Sequence, residues 1–350
     1  MSGTKGVGGA GDSPALGRRQ ANRLPHRARR ARVPALAKIN LDLRVLGKRA
    51  DEYHELRTIF QTISLGDSLE IAFTPGRTTE IELHDDLGIP DNLVTRAARL
   101  AMDAMDAAGR VEMRLKKRIP MGAGLGGGSS DAAAVLLALP ALAGRRLGLE
   151  TLADLAARLG SDVPFFLLGG TAVGIGRGTE LFPLPDAAAR PALLLAPGIH
   201  VDTSRAYAEL SPGLTTESQQ NKIFSFQSRT WDLVAGGPGA PTAFVGRNDF
   251  ETVVFARHGR LADLKRGLTR AGATLAMMTG SGSALYGLFS GPEEMARALR
   301  WVASPSGLRG EEKAFRVALI SRARYRSMWG RALAEHTIPK TWPPQSRYTR

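Results

Sequence analysis

The chain of 350 residues is long enough for about two domains, and its 43% hydrophobic and 23% charged side chains are ordinary for a globular protein. It contains no cysteine, which excludes disulfides, thiolate metal sites and thiol nucleophiles. A cysteine-free composition suits a reducing cytoplasm. No apolar run reaches the roughly 18 residues of a membrane span, so we expect a cytoplasmic protein without a membrane partner.

The formal net charge of +14 lies at the two ends of the chain. Residues 1–33 and residues 309–350 each carry a net charge of +7, and residues 34–308 balance 29 basic against 29 acidic side chains. A nucleic-acid-binding domain would instead carry its basic patch within the folded part. We therefore expect no specific nucleic-acid partner, and we expect the function to survive removal of both ends.

Both basic ends are predicted to lie outside the folded domains. Residues 1–33 lack apolar periodicity and are predicted to be a disordered extension or the product of an upstream start codon, with a targeting segment or a binding arm as the alternatives. Residues 311–350 are predicted to be a basic tail. Its last ten residues, TWPPQSRYTR, are expected to be unstructured apart from local docking of Trp342.

Alternating apolar and polar side chains predict the first strands, at residues 39–47, 58–65 and 68–73, with a turn at Gly66 and Asp67 between the last two. Helical spacing follows at 91–109, where Asp91 or Asn92 serves as the cap. The next predicted elements are a strand at 111–120, a helix from about 130 to 139 and a short amphipathic helix at 149–160.

A second unit is predicted to begin with a buried strand near residue 191. The remaining elements are a helix at 203–210, a loop-rich region at 211–248, a helix at 263–272, a strand–turn–strand at 274–289 and a helix at 292–303. Strands and helices mix without a βαβ rhythm, which favours an α+β fold over a doubly wound sheet.

The segment PMGAGLGGGSSDAAA, residues 120–134, places five glycines within seven positions directly before an alanine-rich helix. Bare backbone amides at a helix start favour phosphate binding, because the helix dipole adds positive charge to the exposed donors. A mobile surface loop is the alternative. A P-loop is disfavoured because no lysine follows the glycines. Gly122, Gly124 and Gly127 match the dinucleotide pattern, but the acidic residue that binds ribose about 20 positions on is missing.

The glycine segment closely resembles the phosphate loop of the GHMP kinases, a family that includes galactokinase, homoserine kinase and mevalonate kinase. Three further segments, at residues 37–67, 159–181 and 278–289, are similar in order to the branch of this family that phosphorylates a cytidylylated methylerythritol. The resemblance spans about residues 34–305. It implies a two-domain α+β fold, with domains at 34–188 and 189–310 and the nucleotide and substrate in the cleft between them.

The resemblance implies that ATP is the phosphoryl donor, with Mg²⁺ travelling on its phosphates and no metal ligand assigned. The implied nucleotide-binding positions are Pro120, Met121, Gly122, Ala123, Gly124, Leu125, Gly126, Gly127, Gly128, Ser129, Ser130, Asn92 and Lys117. On the residues alone, the two serines and Asn92 are equally well explained as helix caps.

The family places its catalytic aspartate at Asp162 and the matching lysine at Lys38. Taken alone, Asp162 is typical of a helix cap and Lys38 of a solvated strand end, and no spacing argument shows that the two meet. The implied substrate-binding positions are Asn40, Tyr53, His54, Thr203, Tyr207, Gly280 and Ser281. Tyr207 is expected to complete an aromatic sandwich around cytosine. Contacts from residues 211–235 are not assigned. The sequence does not decide between a monomer and a homodimer.

Overall fold

The computed structural model describes residues 28–86, 88–89, 91–211, 215–235 and 246–348. Ten strands lie in two sheets within these residues. The larger sheet contains β1 (Arg29–Lys48), β2 (His54–Pro75), β3 (Glu80–Asp85), β4 (Gly109–Lys116), β5 (Thr171–Gly176) and β6 (Glu180–Pro183). The smaller sheet contains β7 (Pro191–Ala196), β8 (Leu275–Met278), β9 (Leu285–Leu288) and β10 (Lys313–Ala318).

The larger sheet has the order β3-β4-β2-β5-β6, with β1 paired along β2, and the smaller sheet has the order β10-β7-β9-β8. Every pair is antiparallel except β3 with β4. Strands and helices are therefore mixed without a doubly wound parallel sheet. The predicted α+β fold class is confirmed.

Four helices cover the larger sheet: α1 (Leu93–Ala104), α2 (Gly127–Ala143), α3 (Leu149–Leu159) and α4 (Val163–Leu168). Four others accompany the smaller sheet: α5 (Thr203–Leu210), α7 (Phe250–Arg257), α8 (Gly259–Arg270) and α9 (Pro292–Val302), while α6 (Thr216–Ala235) contacts β1 and β2 of the larger sheet. The last helix, α10 (Arg322–Ala332), contacts β1. Helix α2 is buried on every side from Ser130 to Leu142, which explains its uniformly apolar sequence.

Three apolar clusters hold these layers together. The first lies between the larger sheet and helices α1–α4. The second joins the two sheets, with Ile39 and Ile59 of the larger sheet against Leu194, Met277 and Tyr286 of the smaller. The third lies beneath helices α7–α9. The second cluster matters most for function, because it sets the two units against each other at the edge of a cleft.

The predicted turn at Gly66 and Asp67 is wrong, because β2 runs through both residues and Gly66 pairs with Leu36 of β1. A Cβ on Gly66 would lie 2.7 Å from the Leu36 side chain, so the glycine allows close strand packing. The Asp67 carboxylate turns inward and accepts hydrogen bonds from the backbone amides of Arg118 and Ile119. The Gly66-Asp67 pair therefore allows close packing inside a continuous strand and does not reverse the chain.

The prediction that residues 1–33 are disordered is wrong for Arg29–Val33, which form the start of β1; residues 1–27 lie outside the described part. The Arg29 guanidinium donates to the Leu142 carbonyl oxygen at 2.7 Å and lies over the Tyr348 ring at 4.1 Å. The backbone oxygen of Arg30 contacts His336 Nε2 at 2.8 Å. Arg29 and Arg30 are therefore part of the folded structure, although the sequence around them is basic and poor in acidic residues.

The prediction that residues 311–350 form a separate tail is also wrong. Strand β10 completes the smaller sheet beside β7, while Tyr325 and Trp329 of α10 are fully buried in the core of the larger unit. Beyond α10, Trp342 donates from its indole Nε1 to the Leu167 carbonyl oxygen at 3.0 Å, so its docking is confirmed. The expectation that this end can be removed without loss fails, because it supplies core residues to both units.

The region at 211–248 contains a 20-residue helix, α6, where loops were predicted. Residues 212–214 and 236–245 lie outside the described part. Lys222 of α6 pairs with Asp249 at 2.6 Å and donates to the Val45 carbonyl oxygen of β1 at 2.9 Å. Tertiary ion pairs therefore hold a helix whose polar sequence shows little amphipathic periodicity. Across the described residues, no helix combines the length and apolarity needed to cross a bilayer.

Candidate active site

A cleft of about 460 Å³ lies where β1 and β2, the glycine loop, α5 and the β8–β9 turn converge. Its walls include ten of the described residues that the sequence assigned to the site or that neighbour them in the glycine segments: Lys38, Asn40, Gly122, Gly124, Asp162, Thr203, Tyr207, Gly280, Ser281 and Gly282. Residues from five separate parts of the sequence thus share one cavity.

Lys38 and Asp162 meet in this cleft, with Lys38 Nζ 3.3 Å from Asp162 Oδ2. The lysine side chain is only 4% exposed, whereas the aspartate is 33% exposed toward the cavity. Asp162 stands at the N-cap position of α4 but accepts no capping hydrogen bond from that helix. The carboxylate is therefore free for Lys38 and for a molecule in the cleft.

A bulge in β1 places Lys38. The register of β1 on β2 shifts between Leu36 and Lys38, and the Lys38 backbone amide donates to the Leu125 carbonyl oxygen of the glycine loop at 3.0 Å. Bulges occur preferentially beside active sites, where they redirect a side chain or a backbone group. Here the irregularity connects the lysine strand directly to the loop.

Asn40 is a buried junction between the two units. Its Oδ1 accepts hydrogen bonds from Lys38 Nζ at 2.9 Å, Thr279 Oγ1 at 3.1 Å and the Gly280 amide at 2.9 Å. Its Nδ2 donates to Thr58 Oγ1 at 2.7 Å. With its side-chain amide used by the protein, Asn40 positions Lys38 and the β8–β9 turn in this structure.

The glycine loop alternates open backbone with buried anchors. Gly122, Gly124 and Gly126 have φ values of 62°, 75° and 69°, in the left-handed region that favours glycine. Between them, the side chains of Ala123 and Leu125 are buried in the cluster joining the sheets. The loop then enters the 17-residue helix α2, whose first amides lack acceptors within the helix. This geometry fits an anion such as a nucleotide phosphate.

The second glycine turn lies against the first. A Cβ on Gly124 would lie 2.2 Å from the Thr279 carbonyl oxygen, and one on Gly280 would lie 3.0 Å from Gly124 Cα. The two backbones therefore approach each other as only glycines allow. Beside them, Thr203 Oγ1 and Ser281 Oγ are 2.7 Å apart at the exposed rim of the cleft.

The remaining nucleotide-site predictions fall around the start of α2. The Ser130 hydroxyl is buried and donates to the Leu36 carbonyl oxygen at 2.8 Å, so it ties α2 to β1. Asn92 caps α1 by accepting from the Val94 amide at 3.0 Å. Neither residue lines the cleft, although both lie near the loop, whereas Met121 is exposed beside it.

Lys117 lies beneath the loop between two buried carboxylates. Its Nζ is 2.5 Å from Asp67 Oδ2 and 2.6 Å from Asp131 Oδ2. Burial raises the pKa of Asp131 to about 7 against the opposing Lys117 charge, and the Asp67 charge adds to the rise. The other Asp131 oxygen is buried with no hydrogen-bond partner. Lys117 is thus engaged by protein carboxylates, and a Cβ on Gly127 would lie 3.3 Å from its Nζ.

The aromatic residues at the other end of the cleft differ from the predicted sandwich. Tyr207 stacks on His54, with ring centroids 4.3 Å apart and an interplanar angle of 18°, which leaves no space for a base between these rings. Tyr53 is 49% exposed, and the Arg177 guanidinium lies 3.7 Å from its ring centroid. Burial and the Lys48 charge lower the pKa of His54, so its imidazole is neutral at pH 7.

Several cleft-lining residues were not singled out from the sequence: Thr58, Phe60, Arg177, His200, Asp202 and Phe250. Most carry no local signal, because strand residues such as Thr58 and Phe60 look like ordinary core. Arg177 is the exception. It is a lone cation between Gly176 and Gly178, in a segment already linked to the site by resemblance.

Among the described residues, no group of three or more His, Asp or Glu side chains is placed to hold a metal ion. A divalent cation in this cleft would therefore take most of its ligands from a bound phosphate and from water, as Mg²⁺ commonly does with nucleotides.

Comparison with known families places both halves of the chain in one group. The model for the GHMP kinase N-terminal domain matches residues 92–170, and the model for the GHMP kinase C-terminal domain matches residues 241–304. These two stretches contain the glycine loop with Asp162 and the β8–β9 turn, respectively.

Comparison with individual relatives identifies the branch of this family to which the chain is most similar in sequence. The chain is 64% identical over 324 residues to a 4-diphosphocytidyl-2-C-methyl-D-erythritol kinase of Solibacter usitatus, covering 91% of this chain and 98% of the relative. It is 40% identical over 261 residues to the enzyme of the same name from Pelotomaculum thermopropionicum, covering 73% of this chain and 87% of the relative.

Solved structures agree. A crystal structure of 4-(cytidine 5'-diphospho)-2C-methyl-D-erythritol kinase superposes with a TM-score of 0.65 at 35% identity, covering 82% of this chain and 98% of that one. A homoserine kinase from Cytophaga hutchinsonii has the same TM-score at 18% identity, which shows the shared fold alone. The sequence identity across nearly the whole length of the Solibacter relative is more specific than the shared fold. The chain therefore belongs to the 4-diphosphocytidyl-2-C-methyl-D-erythritol kinase family of GHMP kinases.

Proposed function

We propose that the protein transfers the γ-phosphoryl group of ATP to the 2-hydroxyl of 4-(cytidine 5'-diphospho)-2-C-methyl-D-erythritol, a step of the non-mevalonate route to isoprenoid precursors. Membership of the family supports the substrate. The observation that carries the chemistry is the Lys38–Asp162 pair, which shares one cleft with the glycine loop. The cysteine-free composition supports a cytoplasmic enzyme.

The glycine loop binds the phosphates of ATP. Its left-handed glycines expose backbone amides, and the N-terminus of α2 adds a partial positive charge. A side chain at Gly124 would fill the space between the loop and the β8–β9 turn. Mg²⁺ bound to the phosphates would neutralise charge on the transferred group. The described residues offer it no dedicated carboxylate cluster, so we assign it no protein ligand.

Asp162 acts on the acceptor alcohol. Its carboxylate accepts the hydroxyl proton as the alcohol oxygen bonds to the γ-phosphorus and the bond from that phosphorus to the bridging oxygen of ADP breaks. Lys38 holds the carboxylate in place, since its ammonium lies 3.3 Å away and is fixed by Asn40. The same ammonium stabilises negative charge on the transferring group.

The cytidine end of the substrate lies toward Tyr53, His54 and Tyr207. A neutral His54 offers one donor and one acceptor to a base edge. Because Tyr207 already covers His54, a base stacked on Tyr207 displaces one of these two rings, while the exposed face of Tyr53 accepts a base directly. Thr203, Gly280 and Ser281 border the path between the two ends of the cleft.

A coupled ADP-release assay tests the function. The acceptors are the cytidylylated methylerythritol, methylerythritol phosphate without the cytidylyl group, mevalonate and homoserine. We expect turnover with the first alone. A kcat/KM for mevalonate or homoserine equal to that for the cytidylylated alcohol would overturn the proposal, because these compounds lack the nucleoside that the aromatic end of the cleft is proposed to bind.

A further inference from the structure

Among the described residues, the cleft is lined by one lysine and one arginine, Lys38 and Arg177, and they differ in their partners. Lys38 is paired with Asp162. Arg177, in the turn between β5 and β6, forms no ion pair with any described carboxylate, and its buried Nε has no hydrogen-bond partner. Buried polar groups are nearly always satisfied, so an unpaired one beside a cavity calls for an explanation, and a bound molecule can supply one.

Two acidic residues near Arg177 already have other cationic partners, although the Arg177 charge also acts on the first of them, Asp51. Asp51 pairs with Arg49 at 3.2 Å, and Glu55 pairs with Arg49 at 2.7 Å and with Arg57 at 2.5 Å. The contact that orients Arg177 is the Tyr53 ring, 3.7 Å from its guanidinium carbon. A guanidinium stacked on an aromatic ring keeps its N–H edge available for a planar or tetrahedral anion.

We propose that Arg177 binds the diphosphate of the cytidylylated substrate and that Tyr53 serves as its platform; this inference rests on the proposed function. The other side chains predicted for this part of the substrate, Asn40 and Thr203, are uncharged. Arginine binds phosphate oxygens in a bidentate manner, with both charge and direction. Arg177 covers one face of the Tyr53 ring, and the other face is left for the base of the substrate. One tyrosine therefore supports both the diphosphate contact and the nucleoside.

The test compares two ligands that differ only in the diphosphate. Calorimetric titrations of the full chain with cytidine 5′-diphosphate and with cytidine are made in saturating ADP, which keeps both probes out of the ATP site. In Arg177→Met, we expect the Kd for cytidine 5′-diphosphate to rise at least about tenfold, equivalent to about 1.4 kcal/mol. The Kd for cytidine should change less than about threefold.

Arg205→Met is the matched control, because Arg205 is exposed, pairs with Glu209 and lies outside the cleft wall. Both Kd values should stay within about threefold in this variant. Arg177→Lys keeps the charge and should retain the preference for cytidine 5′-diphosphate over cytidine. Retention there also shows that substitution at this position leaves a folded site.

An unchanged Kd for cytidine 5′-diphosphate in Arg177→Met would overturn the assignment. An equal loss for both probes would overturn it too, because Arg177 would then act only by holding Tyr53. So would loss of the preference in Arg177→Lys to the level of the methionine variant. These measurements need no turnover. If the ADP-release assay fails while the diphosphate preference depends on Arg177, the proposed reaction falls and the binding assignment stands.

Discussion

Asp162 stands where a helix cap would stand, yet its carboxylate contacts Lys38 and caps no backbone amide. Proline within the first turn of α4 removes one amide that a cap would satisfy. The same residue type at the start of α5, Asp202, does cap its helix by accepting from the Arg205 amide at 3.1 Å. Side-chain direction, and not position in the sequence, separates the two aspartates.

At the residue scale, Asp162→Asn should lower kcat by at least about a hundredfold, because the amide cannot accept the hydroxyl proton. The KM for ATP should stay within about threefold, since the phosphates are bound by backbone amides of the loop. Steady-state kinetics in both substrates measure this. Asp154→Asn, at an exposed position on α3, is the control. A kcat within fivefold of the parent would remove Asp162 from the mechanism.

Asp131 makes stability depend on pH. Its pKa is about 7 in the folded chain against an ordinary value of 3.8, so its stabilising contribution is full below pH 3.8 and is lost as the pH rises through 7. Asp131→Asn mimics the protonated carboxyl and should flatten this dependence. The unfolding free energy of each protein is measured by urea titration at pH 5 and at pH 8. The value for the variant minus that for the parent should be at least about 1 kcal/mol larger at pH 8 than at pH 5. The same difference at both pH values would contradict the assigned ionisation.

At the element scale, the two glycine turns act as one unit. The glycine loop is anchored by Ala123 and Leu125, and the Ala123 carbonyl oxygen accepts from the Ala284 amide beside the β8–β9 turn at 3.2 Å. Asn40 of β1 holds the same turn through the Gly280 amide. The phosphate loop is therefore positioned by two strands from different sheets as well as by its own helix.

Gly124→Ala tests this contact. The added methyl would lie 2.2 Å from the Thr279 carbonyl oxygen at a φ of +75°, so both overpacking and backbone strain should lower stability by about 1–3 kcal/mol. Displacement of the loop should raise the KM for ATP at least about tenfold. Gly330→Ala is the matched control, because it lies in α10 with no atom within 4 Å of the new methyl. If the KM for ATP and the melting temperature of Gly124→Ala equalled those of the parent, the two turns would not depend on each other.

At the scale of the whole molecule, the last described residues connect the two units. Strand β10 joins the smaller sheet, α10 enters the core of the larger unit, and the segment around His336 contacts the first residues of β1. Basic composition alone suggested a detached end. Arg324, Arg326 and Arg331 of α10 are exposed, while Tyr325 and Trp329 of the same helix lie in the core.

Trp329→Ala measures how much this end contributes. Trp329 is 1% exposed in the first cluster, so its truncation should lower the unfolding free energy by about 3–5 kcal/mol. Trp231→Ala, at a position 63% exposed on α6, should change it by less than about 0.5 kcal/mol. Chemical denaturation of the two variants makes the comparison. Equal effects would mean that the end of the chain is not part of the cooperative core.

The glycine loop, the α+β class and the helices at 203–210 and 292–302 followed from contiguous patterns, because backbone conformation and amphipathic spacing are local properties. The turn assigned to Gly66 failed because a glycine that permits close strand packing looks identical to one that permits a turn. Helix α6 was missed since its support comes from Lys222 reaching Asp249 and β1, contacts between residues far apart in the sequence.

The sequence by itself determined the glycine loop, the family and the residue types available for phosphoryl transfer, because these depend on neighbouring residues and their order. Only the tertiary structure decided that Lys38 meets Asp162, that Tyr207 lies on His54 and that Arg177 stacks on Tyr53 beside the cleft. Each of these contacts joins strands, turns or helices that are remote along the chain. Their distances follow from how the two sheets pack around Ile39, Leu194 and Tyr286, and no local pattern encodes that packing.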